Sequence, residues 1–359
     1  MTVIAAARVL GADIPDDEPG WLAIDDGRVV ATGLGRPRGA DDLGEAVLAP
    51  GYIDIQVNGF GPVDFATAST TECVALVEEL FGHGVSACCP TLVTAPLDAY
   101  DAALARLAAA AEMTPAIIGV HLEGPFLGGA PGAHDVALIR PVDLVWLRSI
   151  LDRWPGLVRV VTLAPEADPD FTATRLLAER GVTVALGHTT ASYDDARVAA
   201  SRGATLVTHL FNGMSPLHHR APGVAGAALD DDRLVPSLIA DFVHVHPALV
   251  RLAATTRPDL VLVSDAVAVD GDVVRESNGA AYLAGGTLAG STLTMDRAVQ
   301  NVVAAGIPLP VAVAMATASP ARVLGLADRG RLSAGARADV IALSPEQLQV
   351  STLESLLGS

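Results

Sequence analysis

Eight short apolar runs between residues 49 and 267 constrain the fold of this chain more than any other feature. Near-continuous apolar runs are typical of parallel strands that are buried on both faces of a sheet. Longer segments with the apolar spacing of helices separate most of these runs. The predicted strands are Ala49–Val57, Val85–Val93, Ala116–Gly124, Val158–Glu166, Thr183–Thr189, Ala204–Asn212, Ser237–Val245 and Leu260–Val267. The predicted helices are Thr70–Phe81, Leu97–Glu112, Val142–Trp154, Phe171–Arg180, Ser192–Ser201 and Pro247–Thr256.

Eight parallel strands joined by helices predict a TIM-like (β/α)8 barrel, which we assign to residues 49–330. The two ends of the chain differ from this pattern. Residues 1–48 contain short alternating runs broken by glycine and acidic turns, and residues 331–359 contain the apolar run Val340–Leu343. We therefore expect the two ends to form one small β-sandwich domain. A doubly wound open sheet is the alternative, and it is disfavoured because no G-x-G-x-x-G motif follows the first barrel strand.

Composition and charge indicate which kinds of partner the chain can bind and which compartment it occupies. The chain has 23 Lys+Arg against 41 Asp+Glu, and this net charge of −18 disfavours binding to nucleic acid or to anionic membranes. No run approaches the roughly 20 consecutive apolar residues of a membrane span, and the first residues lack the pattern of a targeting signal. Cys73, Cys88 and Cys89 cannot all pair, which favours a reducing compartment and a cytoplasmic protein.

Polar side chains fall at or near the ends of six of the eight apolar runs. In a (β/α)8 barrel the carboxyl ends of all strands open onto one mouth, where active sites lie. Residues that are far apart in the chain should therefore meet there. The side chains in question are those of Gln56, Asn58, Glu123, His188, His209, His244 and Asp265.

Each of these residues, taken alone, has an ordinary structural interpretation as a hydrogen-bonded histidine or a capping carboxylate. Together they would leave several unpaired polar groups at apolar strand ends, at a cost of several kcal/mol. Glu123, His188 and His209 would instead form a three-ligand metal site with an open fourth position, typical of catalytic zinc. Such a metal lowers the pKa of its water to about 7. Asp265 could then move a proton to the leaving nitrogen during amide hydrolysis.

Several motifs identify a family resemblance over essentially the whole chain. The motifs are Pro50-Gly51-Tyr52-Ile53-Asp54, His121-Leu122-Glu123-Gly124-Pro125-Phe126, Gly187-His188-Thr189, Thr208-His209-Leu210-Phe211-Asn212 and Ser264-Asp265-Ala266. With them the sequence resembles the amidohydrolase superfamily and, within it, the N-acetylglucosamine-6-phosphate deacetylases. That resemblance implies metal-dependent hydrolysis of the acetamide of N-acetyl-D-glucosamine 6-phosphate, a small amino-sugar phosphate, and a homodimer.

The resemblance also implies the chemical roles at the centre of the site. Glu123, His188 and His209 correspond to metal ligands, and Asp265 corresponds to the catalytic acid and base. Gln56 and Asn58 stand where many superfamily members have a His-x-His pair that builds a second metal site. Amides are poor ligands for a zinc-like ion, so we expect one divalent metal ion per subunit. Zinc is the first expectation, and iron, manganese or cobalt would accept the same ligands.

Further residues correspond to family positions that contact the substrate. The resemblance places His134 on the acetyl group and Leu288, in a glycine-rich stretch after strand 8, over the sugar. It places Asn212, Gly213, Arg220 and His244 on the rest of the substrate, with Arg220 and His244 acting either within their own subunit or from its neighbour. Gln56 and Asn58 could hold water or substrate, or could bond only to backbone.

Two departures from the family pattern concern specificity. Phe242 stands where the family usually has glycine, and Ala221 stands where an acidic residue is common, which leaves the preferred hexosamine isomer open. Two other functions also remain as alternatives. One is hydrolysis of a different amide, such as an N-acyl amino acid or a cyclic amide. The other is a non-catalytic barrel scaffold, which is disfavoured because no member of the ligand and acid/base set is missing.

Overall fold

The computed structural model describes residues 1–271, 274–353 and 355 of the chain. Its amino-terminal part consists of short strands, several of which are largely buried. These strands are β1 (Thr2–Ala6), β2 (Arg8–Val9), β3 (Gly20–Asp25), β4 (Arg28–Leu34), β5 (Asp41–Asp42) and β6 (Val47–Pro50).

The following part alternates strands with helices. It comprises β7 (Tyr52–Val57), β8 (Gly59–Phe60), β9 (Val63–Asp64), α1 (Thr70–Phe81), β10 (Val85–Val93), α2 (Ala99–Met113), β11 (Val120–Glu123), α3 (Leu144–Arg153), β12 (Val158–Leu163), a 3-10 turn (Pro165–Ala167), α4 (Thr172–Glu179), β13 (Thr183–Leu186), α5 (Tyr193–Ser201), β14 (Ala204–Val207), α6 (Gly223–Asp230), β15 (Val235–Leu238), α7 (Pro247–Thr256) and β16 (Val261–Leu262). The last part adds a small sheet, three helices and two strands, namely β17 (Val274–Ser277), β18 (Ala280–Leu283), β19 (Leu288–Ser291), α8 (Met295–Ala304), α9 (Leu309–Ala316), α10 (Ala318–Val323), β20 (Val340–Leu343) and β21 (Val350–Thr352).

The predicted barrel is confirmed. One eight-stranded sheet runs in the order β7, β10, β11, β12, β13, β14, β15, β16, and all its neighbouring pairs are parallel. The chain just after β16 returns to β7, because the amide of Asp265 donates to the carbonyl of Gln56 over 2.9 Å and that of Asn58 donates to the carbonyl of Ala266 over 2.8 Å. These bonds close the barrel beside the residues at its mouth.

Local sequence explains the first barrel helix well. Ser69 accepts a hydrogen bond from the amide of Glu72, whose side chain in turn accepts from the amide of Ser69, and this capping box starts α1. Cys73, Leu76, Val77 and Leu80 form its buried face. The helix has the predicted bounds, and the other five predicted helices are present with ends that differ by no more than two residues.

Both chain ends build the small β-sandwich domain, as predicted. Two four-stranded sheets, in the orders β4-β3-β1-β5 and β2-β6-β20-β21, enclose a separate apolar core. That core includes Ile4, Leu22, Leu48 and Val340. The expected boundary between residues 48 and 49 falls inside β6, because Ala49 and Pro50 still pair with β20.

The structure departs from the predicted elements at the ends of strands 6, 7 and 8. β14 ends at Val207, β15 at Leu238 and β16 at Leu262, several residues before the predicted ends. His209, His244 and Asp265 therefore lie in the segments that follow these strands. These runs contain polar residues, and they stay largely apolar beyond the last residue that pairs with a neighbouring strand. The sequence therefore predicted longer strands than the structure has. Helices α6, α8, α9 and α10 and the antiparallel sheet β17-β18-β19 were not predicted. Among the described residues, no helix is long and apolar enough to cross a membrane.

Candidate active site

Three side chains from different strands meet at the barrel mouth. Glu123 is the last residue of β11, and His188 and His209 each lie two residues beyond the end of a strand. Oε1 of Glu123 is 3.2 Å from Nε2 of His188 and 3.1 Å from Nε2 of His209, and the two nitrogens are 3.0 Å apart. All three residues are buried. The structure thus brings together the three predicted ligands.

Backbone contacts fix which imidazole nitrogens face the centre of this cluster. Nδ1 of His188 donates to the carbonyl of Ala130 over 3.2 Å, and Nδ1 of His209 donates to the carbonyl of Asn212 over 3.1 Å. Neutral imidazoles of this tautomer present lone pairs at Nε2. Two nitrogen lone pairs and a carboxylate oxygen then face one another within hydrogen-bond distance, which fits a divalent cation with second-shell support.

The electrostatics of the cluster point the same way. Burial would raise the pKa of Glu123, but its close contacts with the imidazoles of His188 and His209 hold that pKa well below its ordinary value. Burial would lower the pKa of His209, but the contact with Glu123 and the charge of its carboxylate raise it. The carboxylate therefore favours positive charge at this position, which a bound cation supplies.

Three of the site residues have a left-handed backbone. The φ angles are 49° for His188, 31° for His209 and 48° for Asp265. This conformation is uncommon in residues other than glycine and often marks functional sites. Gly213 is required nearby, because a Cβ on it would lie 2.9 Å from Nδ1 of His188 and its φ is +55°. The chain therefore turns sharply after each strand and directs these side chains into the mouth.

Asp265 is connected to Glu123 through a single amide group. Nε2 of Gln56 lies 3.0 Å from Oε1 of Glu123 and 3.2 Å from Oδ1 of Asp265. Nδ2 of Asn58 donates to the same Oδ1 over 2.9 Å. Burial, followed by the charge of Glu123, raises the pKa of Asp265 to about 6. A carboxyl group with this pKa can both accept and release a proton near neutral pH.

The two amides therefore bond to carboxylates and not to backbone. Gln56 lies behind the carboxylates and does not line the central cavity, so the structure does not bring it to the predicted substrate position. Asn58 does line the cavity, and its buried Oδ1 has no hydrogen-bond partner among the residues that the structure describes. This oxygen is free to accept a hydrogen bond from a ligand.

His134 reaches the cluster from the loop that follows β11. Its Nδ1 lies 2.8 Å from Oγ1 of Thr94 and accepts the amide proton of Thr94 over 3.4 Å, so the neutral ring carries its proton on Nε2. That nitrogen is 3.2 Å from Nε2 of His188. Burial lowers the pKa of His134 to about 4. A neutral N–H donor thus lies beside the three-ligand cluster.

A cavity of about 520 Å³ opens over this floor. His244 lines it within its own chain, and Nδ1 of His244 contacts Oδ2 of Asp241 at 2.6 Å. Asn212 and Gly213 also line it, although the Asn212 amide donates to the carbonyls of His209 and Leu210. The sheet β17-β18-β19 covers one side and contributes Leu288 to the lining.

Arg220, which is predicted to bind the substrate, and Phe242, which departs from the family pattern, both lie outside this cavity. Arg220 is exposed, contacts His219 at 2.8 Å and does not line the cavity of its own chain. Phe242 lines a separate cavity with Arg297 and Gln300, so its ring does not narrow the substrate cavity. Its φ of 67° explains why glycine is usual at this position.

Sequence reasoning missed three polar residues of the mouth. Thr94 directly follows the second apolar run and orients His134. Glu166 ends the fourth run, and its carboxylate accepts the amides of Gly129 over 3.2 Å and Thr190 over 2.6 Å. Asp241 lies three residues before His244. The rule that polar residues at strand ends meet at the mouth would have found Thr94 and Glu166.

Comparison with known proteins decides the family. The model of the amidohydrolase family matches residues 47–356. The chain belongs to the amidohydrolase family. The resemblance predicted from the motifs at the strand ends is thereby confirmed, and a Glu/His/His cluster at the barrel mouth is the candidate divalent-metal site of this amidohydrolase.

Curated relatives confirm the narrower resemblance. The amidohydrolase is 40% identical over 330 residues to N-acetylglucosamine-6-phosphate deacetylase of Bos taurus, which covers 84% of this chain and 80% of the relative. It is 37% identical over 363 residues to N-acetylgalactosamine-6-phosphate deacetylase of Escherichia coli O157:H7, which covers 95% of this chain and 94% of the relative. The chain is therefore an enzyme of the hydrolase class.

A solved structure supports both fold and family. A mutant of N-acetyl-D-glucosamine-6-phosphate deacetylase from Mycobacterium smegmatis, in complex with N-acetyl-D-glucosamine 6-phosphate, matches with a TM-score of 0.90 and 39% identity. The match covers 97% of this chain and 96% of that chain. A D-hydantoinase at 12% identity and a TM-score of 0.61 shares the fold alone.

Proposed function

We propose that this amidohydrolase hydrolyses the acetamide of N-acetyl-D-glucosamine 6-phosphate to D-glucosamine 6-phosphate and acetate. The observation that carries the proposal is the meeting of Glu123, His188, His209 and Asp265 at the floor of one cavity. The relatives that act on amino-sugar phosphates, and the solved complex of one of them with this substrate, support the choice of substrate.

We assign one divalent ion to Glu123, His188 and His209, and zinc is the first choice for this ligand set. When bound, the ion supplies Lewis acidity, which activates water at neutral pH and polarises a carbonyl. The amide hydrogens of Gln56 point at Glu123 and Asp265, which leaves no second set of good ligands where other superfamily members have histidines. This contact supports a single metal ion.

Asp265 is the proposed proton carrier. Water attacks the acetyl carbon, Asp265 accepts a proton from that water, and the same proton is then delivered to the departing amine nitrogen. The two hydrogen bonds on Oδ1, from Gln56 and Asn58, hold the carboxylate in one orientation. Acetate and the free amine are the products, so the atoms of substrate and water are all accounted for.

His134 is the proposed donor to the acetyl oxygen. Thr94 fixes the proton on Nε2 of its ring, the nitrogen that faces the three-ligand cluster. A neutral N–H placed there can donate to the oxygen as negative charge develops on it. Asn58 offers its unpartnered Oδ1 to a sugar hydroxyl or a water.

The phosphate requires cationic or donor groups that a chain of net charge −18 supplies only locally. His244 faces the cavity and is held by Asp241, whereas Arg220 is exposed outside it. We therefore propose a homodimer in which Arg220 reaches the phosphate of the neighbouring subunit, since its guanidinium fork suits phosphate oxygens. The cytoplasmic location stays a prediction.

The decisive experiment is acetate release from N-acetylglucosamine 6-phosphate by purified protein of known metal content. We expect about one divalent ion per chain and release that stops after chelation. The unphosphorylated sugar is the matched control, and it should react poorly. Metal-loaded protein that releases no acetate from the phosphorylated sugar would contradict the proposal.

N-acetylgalactosamine 6-phosphate is the second candidate substrate, because the relative that acts on it is 37% identical and covers more of this chain than the bovine relative does. Comparing kcat/KM for the two sugar phosphates decides between them. A value at least tenfold higher for the galactosamine isomer would replace the first assignment.

A further inference from the structure

The proposed proton carrier lies in an unusual backbone conformation that needs external support. Asp265 follows the last barrel strand and has a φ of 48°. A residue other than glycine in this region is strained and keeps its conformation only when surrounding contacts determine it. The contacts that surround Asp265 come from two separate parts of the chain.

The first support is the barrel itself. The amide of Asp265 donates to the carbonyl of Gln56 over 2.9 Å. The preceding Ser264 donates its hydroxyl to Oδ2 of the fully buried Asp54 over 2.5 Å, and its amide donates to Oδ1 over 3.3 Å. Asp54 is buried and does not line the cavity, and this burial raises the pKa of its carboxyl to about 7.

The second support is Ser291, the last residue of β19. Its amide donates to the carbonyl of Asp265 over 2.9 Å, and its own carbonyl accepts the amide of Val267 over 3.1 Å. Its hydroxyl donates to the carbonyl of Ser264 over 2.5 Å. Ser291 is completely buried. One residue thus contacts the backbone before, at and after the turn that carries Asp265.

β19 also forms part of the cavity wall. Leu288, Ala289 and Gly290 line the cavity directly before Ser291. The strand approaches Asp265 so closely that a Cβ on Gly290 would lie 2.6 Å from Cγ1 of Val267 and 3.0 Å from the carbonyl oxygen of Asp265. β19 therefore lines the substrate cavity and, through its last residue Ser291, also supports the backbone that carries the Asp265 carboxylate.

We propose that Ser291 is a positioning residue that holds Asp265 in its proton-transferring orientation and couples the cover strand β19 to it. The inference rests on the acid/base role proposed for Asp265. It predicts that the hydroxyl of Ser291 affects the rate only through Asp265. A merely structural hydroxyl would affect stability and would act independently of the Asp265 side chain.

A double-mutant cycle separates these roles, with kcat measured on the metal-loaded protein for Ser291→Ala, Asp265→Asn and the double variant. We expect Ser291→Ala to lower kcat about tenfold, because a misplacement of 1 Å can cost about 10²-fold in rate. Its KM and metal content should stay at the wild-type values. In the Asp265→Asn background the same change should lower kcat by less than about twofold, since the group it positions is gone.

Thr317→Val is the matched control. Thr317 is also buried and its hydroxyl also donates to a backbone carbonyl, that of Val313 over 2.8 Å, but it lies in the helical region away from the cavity. This variant should lower Tm, because it loses a buried hydrogen bond, and leave kcat unchanged. If Ser291→Ala does not fold, Ser264→Ala removes the adjoining hydroxyl and should show the same dependence on Asp265.

Three results would overturn the inference. One is an unchanged kcat in Ser291→Ala, and another is an equal loss of kcat in the wild-type and Asp265→Asn backgrounds. The third is an Asp265→Asn enzyme with wild-type kcat, which would also remove the acid/base role on which the inference rests. The first two leave the proposed function intact, so the two failures are distinguishable.

Discussion

The floor and the rim of the substrate cavity are built differently. Glu123, His188 and His209 lie on or close to the ends of barrel strands, are buried, and are held by neighbouring strands and loops. The rim consists of loops and of the cover strand β19, with His244 in the loop before α7 and Leu288 on that strand. Closure of the barrel fixes the floor, whereas the paths of these segments decide the rim. We therefore expect changes in the floor to alter kcat or metal content, and changes in the rim to alter KM.

The largest effect should follow removal of a floor ligand. In Glu123→Ala, metal content should fall well below one ion per chain and acetate release should fall to background, because a bound ion contributes several kcal/mol to catalysis. Metal analysis and an acetate assay measure both. Glu112→Ala, which removes an exposed carboxylate from helix α2, is the control and should match the wild type. Full metal content in Glu123→Ala would refute its assignment as a ligand.

The next largest effect concerns the proton carrier. Asp265→Asn should keep its metal and KM but lose about 10³-fold in kcat, within the range of about 10²–10⁴ typical of general acid–base catalysis. The amide keeps the size of the carboxylate but cannot carry the proton. Metal content and kcat are measured on the same preparation. A kcat within threefold of wild type would show that another group transfers the proton.

A moderate effect is expected at the rim from Arg220. Arg220→Ala should raise KM for the phosphorylated sugar by about 10–100-fold, because a hydrogen bond to a charged group contributes about 1.5–3 kcal/mol. The unphosphorylated sugar should be unaffected. Arg148→Ala removes the same charge from the exposed face of α3 and serves as the control.

The subunit that Arg220 serves can be tested by mixing variants. A heterodimer of Arg220→Ala and Asp265→Asn chains contains one site with an intact Asp265 and an intact Arg220 only if the arginine acts across the interface. At a substrate concentration well below the KM of Arg220→Ala, mixed and refolded variants should then show activity that neither variant shows alone. No recovery in a demonstrated heterodimer would place the arginine's action within its own chain.

The smallest effect should come from the cover strand. Leu288→Ala removes part of an apolar wall, so KM should rise about fivefold while kcat stays unchanged, in line with roughly 1 kcal/mol for a partly buried apolar contact. Leu252→Ala, at an exposed position on α7, is the control. A fall in kcat with no change in KM would show that Leu288, like Ser291 on the same strand, acts on the position of Asp265 and not on substrate binding.

Prediction from sequence succeeded where one rule governs many residues. Apolar runs of strand length predicted all eight barrel strands, and the convergence of their carboxyl ends predicted the grouping of Glu123, His188 and His209. The same rule extends to Thr94, which directly follows the second run, and to Glu166, which ends the fourth. Their roles are not apparent from residue type alone, because both bind protein groups of the mouth: Thr94 contacts His134, and Glu166 accepts backbone amides.

Prediction failed where a position depends on contacts between distant segments. The length of the last two runs suggested strands reaching His244 and Asp265, yet ladder pairing stops at Leu238 and Leu262. The place of Phe242 in a separate cavity and the attachment of Ser291 beside Asp265 are also invisible in the sequence. Each depends on where the chain returns after a loop.

The sequence by itself determined the barrel, the small domain built from both chain ends, and the residue types at the mouth. Periodic burial and polar residues at strand ends are local properties of the chain. Only the tertiary structure decided the proton positions on His188 and His209, the hydrogen bonds of Gln56 to two carboxylates, and the exposure of Arg220. These depend on which carbonyl or carboxylate lies within about 3 Å of a given atom. Distances of that kind arise only when segments far apart in the chain pack together.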